Sequence, residues 1–250
     1  MLIEVRVFGG LTERVGGPRT TLELDDDATV ADLRAAVAAE HPAIAPLLPA
    51  VTVAVDLEVA DDTTALRGAR EVALLPPVAG GAPDGEVPRG TPDAGAVRIV
   101  TGLQQPPLPV TATIEAVTGP QVGATAVFLG TVRDHAAGAP AVVGLDYTAY
   151  DAMARRVLAE LADDLATDHP DLRGIALIHA VGELEVGEHT VLIVCTSGHR
   201  HAAFAACEDA LERVKDRLPV FKRERLPDGD HRWVGLPEPG DATPGPGGGS

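Results

Sequence analysis

The first eighty residues follow the hydrophobic pattern of a small mixed domain. LIEVRVF alternates apolar and polar positions, which predicts a strand, and TTLELD, VTVAVD and REVALLP predict three more. Between the second and third strands, Thr29 followed by Asp32 predicts a helix start with a capping box. Apolar side chains then recur at helical spacing until Pro42. A strand hairpin, a helix and further strands in this order predict an α+β domain.

A second set of elements begins at residue 97. VRIVTG, residues 123–134, residues 142–150, GIALIHAVG and TVLIVCTSG predict strands, and VFKRERL and HRWVG predict short extended pieces. Asp151 predicts the N-cap of one helix. A second helix is predicted over 199–217, where Pro219 ends it and one face carries the apolar stripe Phe204, Cys207, Leu211, Val214 and Leu218. This half is also α+β.

A segment rich in proline and glycine separates the two sets. Residues 82–96 contain three Pro and three Gly and have no hydrophobic period, which is typical of a flexible linker. The composition of residues 237–250 predicts a disordered tail. We therefore expect one domain over 1–81, a linker over 82–96, a second domain over 97–236 and a tail.

Composition narrows the class of protein. Hydrophobic residues make up 45% of the chain but aromatic ones only 3%, so aliphatic side chains must fill the core. No apolar run approaches the roughly 18 residues of a membrane span, and the start lacks the pattern of a signal peptide. We expect a cytoplasmic protein without membrane contact, in which Cys195 and Cys207 are reduced core residues.

Charge excludes one class of partner and suggests another. The net charge of −17 argues against nucleic-acid binding, which requires a basic footprint. Residues 215–225 nevertheless hold five basic side chains against two acidic ones. A basic patch on an acidic protein suits a small anionic substrate.

Two lysines of this basic run are candidates for chemistry. The position of Lys215, at the edge of the helix's apolar stripe, predicts partial desolvation, which eases loss of a proton and suits acid–base work. Lys222 follows seven residues later, beyond Pro219. Taken alone, the run is equally typical of a solvated basic face.

Three further residues are candidates for anion binding. His199 and Arg200 follow a strand and open a helix, where free N–H groups and the helix dipole favour anions. The alternative is a turn whose polar residues face water. Arg133 ends a strand that we expect to be central, so it either pairs with an acid or reaches into a cleft. His199 and His201 have no further ligand at a supporting spacing, and we expect no metal site.

Gly80 and Gly81 close the stretch EVALLPPVAGG. A thin, flexible pair of glycines can enter a narrow site. Composition alone also fits an ordinary domain boundary.

Together, these motifs resemble molybdopterin synthase. Residues 1–81 resemble its small subunit, a ubiquitin-like β-grasp sulfur carrier, through MLIEVRVFGGLTERVG, TVADLRAAVAAEHP and EVALLPPVAGG. Residues 97 to about 235 resemble its large, catalytic subunit through FLGTVRDH, IHAVGELEVGEHTVLIVCTSGHRHAAF, VKDRLPVFKRE and PDGDHRWV. The resemblance implies a β-grasp domain linked to an α/β-hammerhead domain.

The resemblance also implies an activity. This family transfers sulfur from a thiocarboxylated carrier glycine to cyclic pyranopterin monophosphate and forms the dithiolene of molybdopterin, in molybdenum cofactor biosynthesis. It implies that Gly81 carries the sulfur, that Lys215 and Lys222 are catalytic, and that Arg133, His199 and Arg200 bind substrate, some across a homodimer of the catalytic domain. No redox cofactor is implied.

Two partners follow from the encoded sequence. No P-loop of the form G-x4-G-K-[ST] is present, so a separate adenylating, sulfur-loading enzyme is implied. The Gly81 carbonyl is joined to Ala82, so we expect a protease to cleave there before sulfur loading. The alternative functions are a non-catalytic sulfur carrier or scaffold, and a generic anion-binding module that would leave the glycine pair unexplained.

Overall fold

The computed structural model describes residues 1–77, 97–135 and 141–235. We call residues 1–77 the first unit and the other two ranges the second unit. Gly80, Gly81, the predicted linker and the predicted tail lie outside the described residues.

The first unit is one five-stranded sheet with a helix packed on it. Its strands and helices are β1 Leu2–Val7, α1 Leu11–Val15, β2 Arg19–Glu23, α2 Val30–Glu40, a 3₁₀ helix Ala45–Ala50, β3 Thr52–Val55, β4 Glu58–Ala60 and β5 Val72–Leu75. The strand order is β2-β1-β5-β3-β4, and β1 and β5 pair in parallel at the centre. This is the β-grasp arrangement. The capping box of Thr29 and Asp32 is confirmed at the start of α2.

Strand β5 is buried on both faces. Val72 and Leu74 belong to the core beneath α2. Ala73 and Leu75 point the other way and pack into the core of the second unit. Successive side chains of a strand point to opposite faces, so the continuous apolar run VALL reflects two separate packing surfaces.

The second unit contains two four-stranded sheets and three helices. Its elements are β6 Arg98–Gln104, α3 Val110–Val117, β7 Ala124–Thr131, β8 Gly144–Ala149, α4 Asp151–Asp168, β9 Leu172–Ala180, β10 Gly182–Glu185, β11 His189–Ser197, α5 Arg200–Arg217, β12 Val220–Arg225 and β13 His231–Trp233. The strand orders are β6-β9-β11-β7 and β10-β8-β12-β13. The predicted α+β class is confirmed in both units.

Three local predictions are wrong. Helix α4 takes Tyr150 as its N-cap, and Asp151 is its first residue, bonded to Arg155 one turn later. Strand β7 lies at the edge of its sheet and ends at Thr131, so Arg133 follows an edge strand. Phe204 is 67% exposed although it was predicted on the buried stripe of α5, because the small residues Ala203, Ala206 and Ala210 make that helix's packed face.

The two cysteines lie in the core. Cys195 on β11 and Cys207 on α5 are both buried and both free. Among the described residues, no helix is long and apolar enough to cross a membrane.

Candidate active site at the contact between the units

The first unit meets the second through Phe8, Gly9 and the outer face of β5. The ring of Phe8 stacks on that of Tyr150 at 4.6 Å between centroids. Gly9 has a φ of +55°, and a Cβ there would lie 2.8 Å from Pro76 Cγ and 3.2 Å from Phe221 Cβ. Only glycine meets both the backbone and the spatial requirement, so this close approach depends on it.

A buried tyrosine connects the units by a hydrogen bond. Tyr150 is 1% exposed, and its hydroxyl donates to Glu71 Oε1. Arg6 donates to the same carboxylate oxygen at 2.5 Å and lies over the Tyr150 ring. Burial by itself raises the pKa of Glu71, but the bonds from Tyr150 and Arg6 outweigh it and hold that pKa below its usual value. Burial, followed by the bond to Glu71, raises the pKa of Tyr150. The carboxylate and the neutral phenol are therefore the stable pair.

Two more glutamates of the first unit reach donors of the second. Glu13 Oε1 accepts from His231 Nε2 and from Trp233 Nε1, both at 3.1 Å. Glu58 accepts from Arg156 at 3.0 Å. At each of these contacts the first unit supplies the acid and the second unit supplies the donor.

We expect Tyr150→Phe to weaken the contact between the units by about 1–2 kcal/mol. The change removes one hydrogen bond to a carboxylate while keeping the stacked ring. Such bonds contribute roughly 1.5–3 kcal/mol. The loss is smaller here because Arg6 still donates to the Glu71 carboxylate. The measurement is urea unfolding followed by the fluorescence of Trp233, the chain's single tryptophan, which contacts Glu13 across the interface.

The matched control for this change is Thr167→Val. That hydroxyl donates to Asp163 O on an exposed part of α4, away from the contact. Its loss should change the unfolding midpoint little. Equal midpoints for Tyr150→Phe and the wild type would show that the Tyr150–Glu71 bond does not stabilise the docked arrangement.

A cavity of about 570 Å³ opens where the first unit's chain leaves β5. Pro77 lines it, together with Arg133, Lys215 and Lys222. Its remaining polar lining includes Tyr147, His179, Thr131 and Thr190. Five residues of the second unit were predicted to be catalytic or to bind substrate. Three of them therefore share one cavity with the end of the first unit.

Lys215 is positioned by the last turn of α5. Its side chain is 51% exposed, and Nζ donates to Glu212 Oε1 at 3.1 Å. It is more exposed than the predicted partial desolvation implies, because its partner Glu212 is itself a surface residue, 68% exposed. Its amine is therefore accessible both from the cavity and from solvent.

Lys222 is held on β12 and is less exposed, at 29%. Its Nζ lies 3.8 Å from Glu224 Oε1, and the side chain of Glu224 is only 5% exposed. Arg232 donates to the other oxygen of Glu224. Glu224 thus balances two cations and restrains Lys222 beside the cavity.

The remaining predicted site residues lie elsewhere in the same chain. His199 is the N-cap of α5, and Arg200 begins the helix. Both are exposed, and neither lines the cavity. Fifteen residues separate Arg200 from Lys215, which at 1.5 Å per residue places them roughly 22 Å apart along the helix. One chain by itself does not bring them together.

His179 and Tyr147 were missed at the sequence level. His179 interrupts the apolar strand sequence GIALIHAVG, which is the signal that could have identified it. The Tyr147 ring meets the His179 ring edge to face at 4.9 Å. Burial lowers the pKa of His179 to about 4 and raises that of Tyr147 to about 12. Both side chains are therefore neutral at pH 7.

We expect His179 to make the protein less stable in mild acid. The unfolded chain binds a proton on this residue below pH 6.5, whereas the folded chain does so only near pH 4. The free energy of unfolding should therefore decrease as the pH falls below 6.5, and it should be about 2 kcal/mol lower at pH 5. Urea unfolding at pH 7 and pH 5 measures the difference, which His179→Gln should reduce.

The exposed His135 provides the matched control. Its pair with Asp134 is a surface ion pair that contributes little, so His135→Gln should change stability little at either pH. If His179→Gln and the wild type lost equal stability between pH 7 and pH 5, the proton would bind elsewhere.

Among the residues described, no group of three or more His, Cys, Asp or Glu side chains could hold a metal ion. The cavity instead offers cations, three hydroxyls and a neutral imidazole. A small sheet domain whose end leads into a cation-lined cavity of a second domain defines a carrier–transferase pair.

Comparison with known proteins identifies the pair. The ThiS family model matches residues 5–81, and the model described as MoaE protein matches residues 103–217. The molybdopterin synthase catalytic subunit of Pyricularia oryzae is 36% identical over 148 residues, which cover 59% of this chain and 80% of that protein. That of a Nostoc species is 39% identical over 114 residues, covering 46% and 68%.

A solved structure agrees with these relatives. The crystal structure of molybdopterin synthase from Staphylococcus aureus is similar with a TM-score of 0.51 and 31% identity, covering 54% of this chain and 96% of that one. The chain belongs to the molybdopterin synthase catalytic subunit (MoaE) family, and the residues 5–81 that match the ThiS family model cover most of its N-terminal β-grasp unit.

Proposed function

We propose that this chain is a fused molybdopterin synthase, in which the first unit delivers the sulfur that the second unit installs. The reaction transfers sulfur from a thiocarboxylate on Gly81 to cyclic pyranopterin monophosphate and forms the dithiolene of molybdopterin. Membership of the catalytic subunit family supports an enzyme rather than a non-catalytic carrier or scaffold.

One observation carries the proposal. Pro77 lines the cavity that also contains Arg133, Lys215 and Lys222. Gly81 is four residues further on, within roughly 14 Å of Pro77 at the greatest extension of the chain. The sulfur-bearing glycine is therefore within reach of the lysines when the units are docked as they are here.

The cavity residues suit the chemistry. The substrate carries a cyclic phosphate, which Arg133 and Lys222 would bind by charge. Sulfur transfer needs protons moved at the pterin carbons and a carboxylate released from the carrier. Lys215 is the candidate general acid and base, and the neighbouring cations stabilise the negative charge that develops.

A homodimer would complete the site. His199 and Arg200 are roughly 22 Å from Lys215 in one chain, so they would reach a cavity only from a second copy. Phe204, which is exposed, lies one turn after Arg200 and offers an apolar contact for that copy. We therefore place the dimer contact on the second unit, at the start of α5.

Sulfur loading requires a free carboxylate on Gly81. We propose cleavage between Gly81 and Ala82 by a protease, followed by adenylation and sulfur loading by a separate enzyme. The domain boundaries 1–81, 82–96 and 97–236 are part of this proposal. The fused gene product then supplies both subunits in equal number.

The test combines the purified chain, a thiocarboxylated carrier ending at Gly81 and cyclic pyranopterin monophosphate. Dithiolene product should accumulate until the thiocarboxylate is consumed, and carrier with an ordinary carboxylate should yield none. Absence of product from a chain whose second unit is folded, as judged by circular dichroism, would overturn the proposed function.

A further inference from the structure

His179 is a cavity residue that combines a fixed ring orientation with a hydrogen-bond acceptor that no described residue occupies. It lies on β9, which pairs with β11 on one side and β6 on the other. Its ring is part of the cavity wall together with Lys215 and Lys222.

The tautomer of His179 follows from its contact. Nδ1 lies 2.7 Å from the carbonyl oxygen of Ala180. A carbonyl only accepts hydrogen bonds, so Nδ1 carries the proton and Nε2 of the neutral ring carries a lone pair. The edge-to-face contact with Tyr147, at 78° between ring planes, restrains the ring.

Nε2 has no hydrogen-bond partner among the described residues. The hydroxyl of Tyr147, whose ring contacts that of His179, is hydrogen-bonded to Thr190. The ring is partly exposed and forms part of the cavity wall. Nε2 is therefore available to accept a hydrogen bond from a ligand in the cavity.

We propose that His179 is a substrate-binding residue whose Nε2 accepts a hydrogen bond from a ring N–H of a heterocyclic substrate in the cavity. The proposal rests on the proposed function, in which the cations hold the phosphate and the pterin supplies N–H donors. A protonated imidazole has no lone pair on Nε2 and could not accept from a pterin N–H. Burial lowers the pKa of His179 to about 4, so the ring remains an acceptor at neutral pH.

The experiment measures binding of cyclic pyranopterin monophosphate to the full chain by calorimetry at pH 7. His179→Phe keeps the ring shape and removes the acceptor, so affinity should fall about tenfold. His179→Gln places an amide near Nε2 and should recover to within about threefold of the wild type. Inorganic phosphate should bind all three proteins equally, since the cations are intact. In turnover, KM should rise for His179→Phe with kcat unchanged.

The outcomes separate this inference from the proposed function. If the wild type forms dithiolene while folded His179→Phe binds the pterin as tightly as the wild type, only the role of His179 is overturned. If the wild type neither binds the pterin nor forms product, the proposed function is overturned as well. Should His179→Phe fail to fold, His179→Leu provides the same comparison.

Discussion

Lys215→Ala should reduce dithiolene formation by about 10²-fold or more while the protein stays folded. A positioned acid or base contributes roughly 10²–10⁴-fold to rate, and alanine leaves nothing at this position to move a proton. Stability should change by no more than about 1 kcal/mol, because the side chain is half exposed and its pair with Glu212 is a surface ion pair. Single-turnover assays with thiocarboxylated carrier measure the rate, and urea unfolding measures the stability.

Arginine substitutions distinguish proton transfer from charge at the two lysines. Arginine keeps the positive charge but does not give up its proton in proteins. Lys215→Arg should therefore be almost as inactive as Lys215→Ala, whereas Lys222→Arg should keep substantial activity if Lys222 acts by charge.

The matched control for Lys215 is Glu212→Ala, which removes the lysine's partner without removing the amine. It should retain activity within a few fold. Full activity of Lys215→Ala would remove this residue from the mechanism and leave the family assignment intact.

Ala82→Pro should abolish product formation from the fused chain. The proline ring at this position removes the backbone N–H and crowds the bond that a protease must attack. Gly81 then stays in a peptide bond, where it cannot be adenylated or converted to a thiocarboxylate. Intact mass of protein from its own host should show a fragment ending at Gly81 for the wild type and the uncut chain for the variant.

A separately supplied carrier ending at Gly81 is the control for Ala82→Pro. It should restore product, because the substitution leaves Lys215, Lys222 and Arg133 unchanged. If uncut protein with Ala82 still attached accepted sulfur and made product by itself, cleavage would be unnecessary and the proposal would be wrong.

Local patterns sufficed for much of the fold. Some features depend only on neighbours within a few residues, so the sequence alone predicts them. They are the Thr29–Asp32 capping box, the alternation in LIEVRVF and the apolar runs of β9 and β11. The short elements α1, α3, β4 and β10 were missed. Their few residues carry too little periodicity to be recognised.

Errors arose where burial depends on distant partners. Phe204 has the spacing of a core residue, but alanines pack the helix and the phenylalanine remains exposed. Arg133 was placed after a central strand because its sequence is apolar, yet β7 has a neighbour on one side only. Strand order is set by long-range pairing, and a single sequence contains no direct record of it.

The sequence by itself determined the motifs, the two α+β units and the family resemblance, because these depend on local spacing and residue type. Only the tertiary structure decided which side chains share a cavity. It brought Pro77 to Lys215 and Lys222, kept His199 and Arg200 about 22 Å away, and added His179 with an unpaired nitrogen. The physical reason is that a cavity is formed by strands and helices distant in the chain, and its electrostatics depend on burial that no short segment determines.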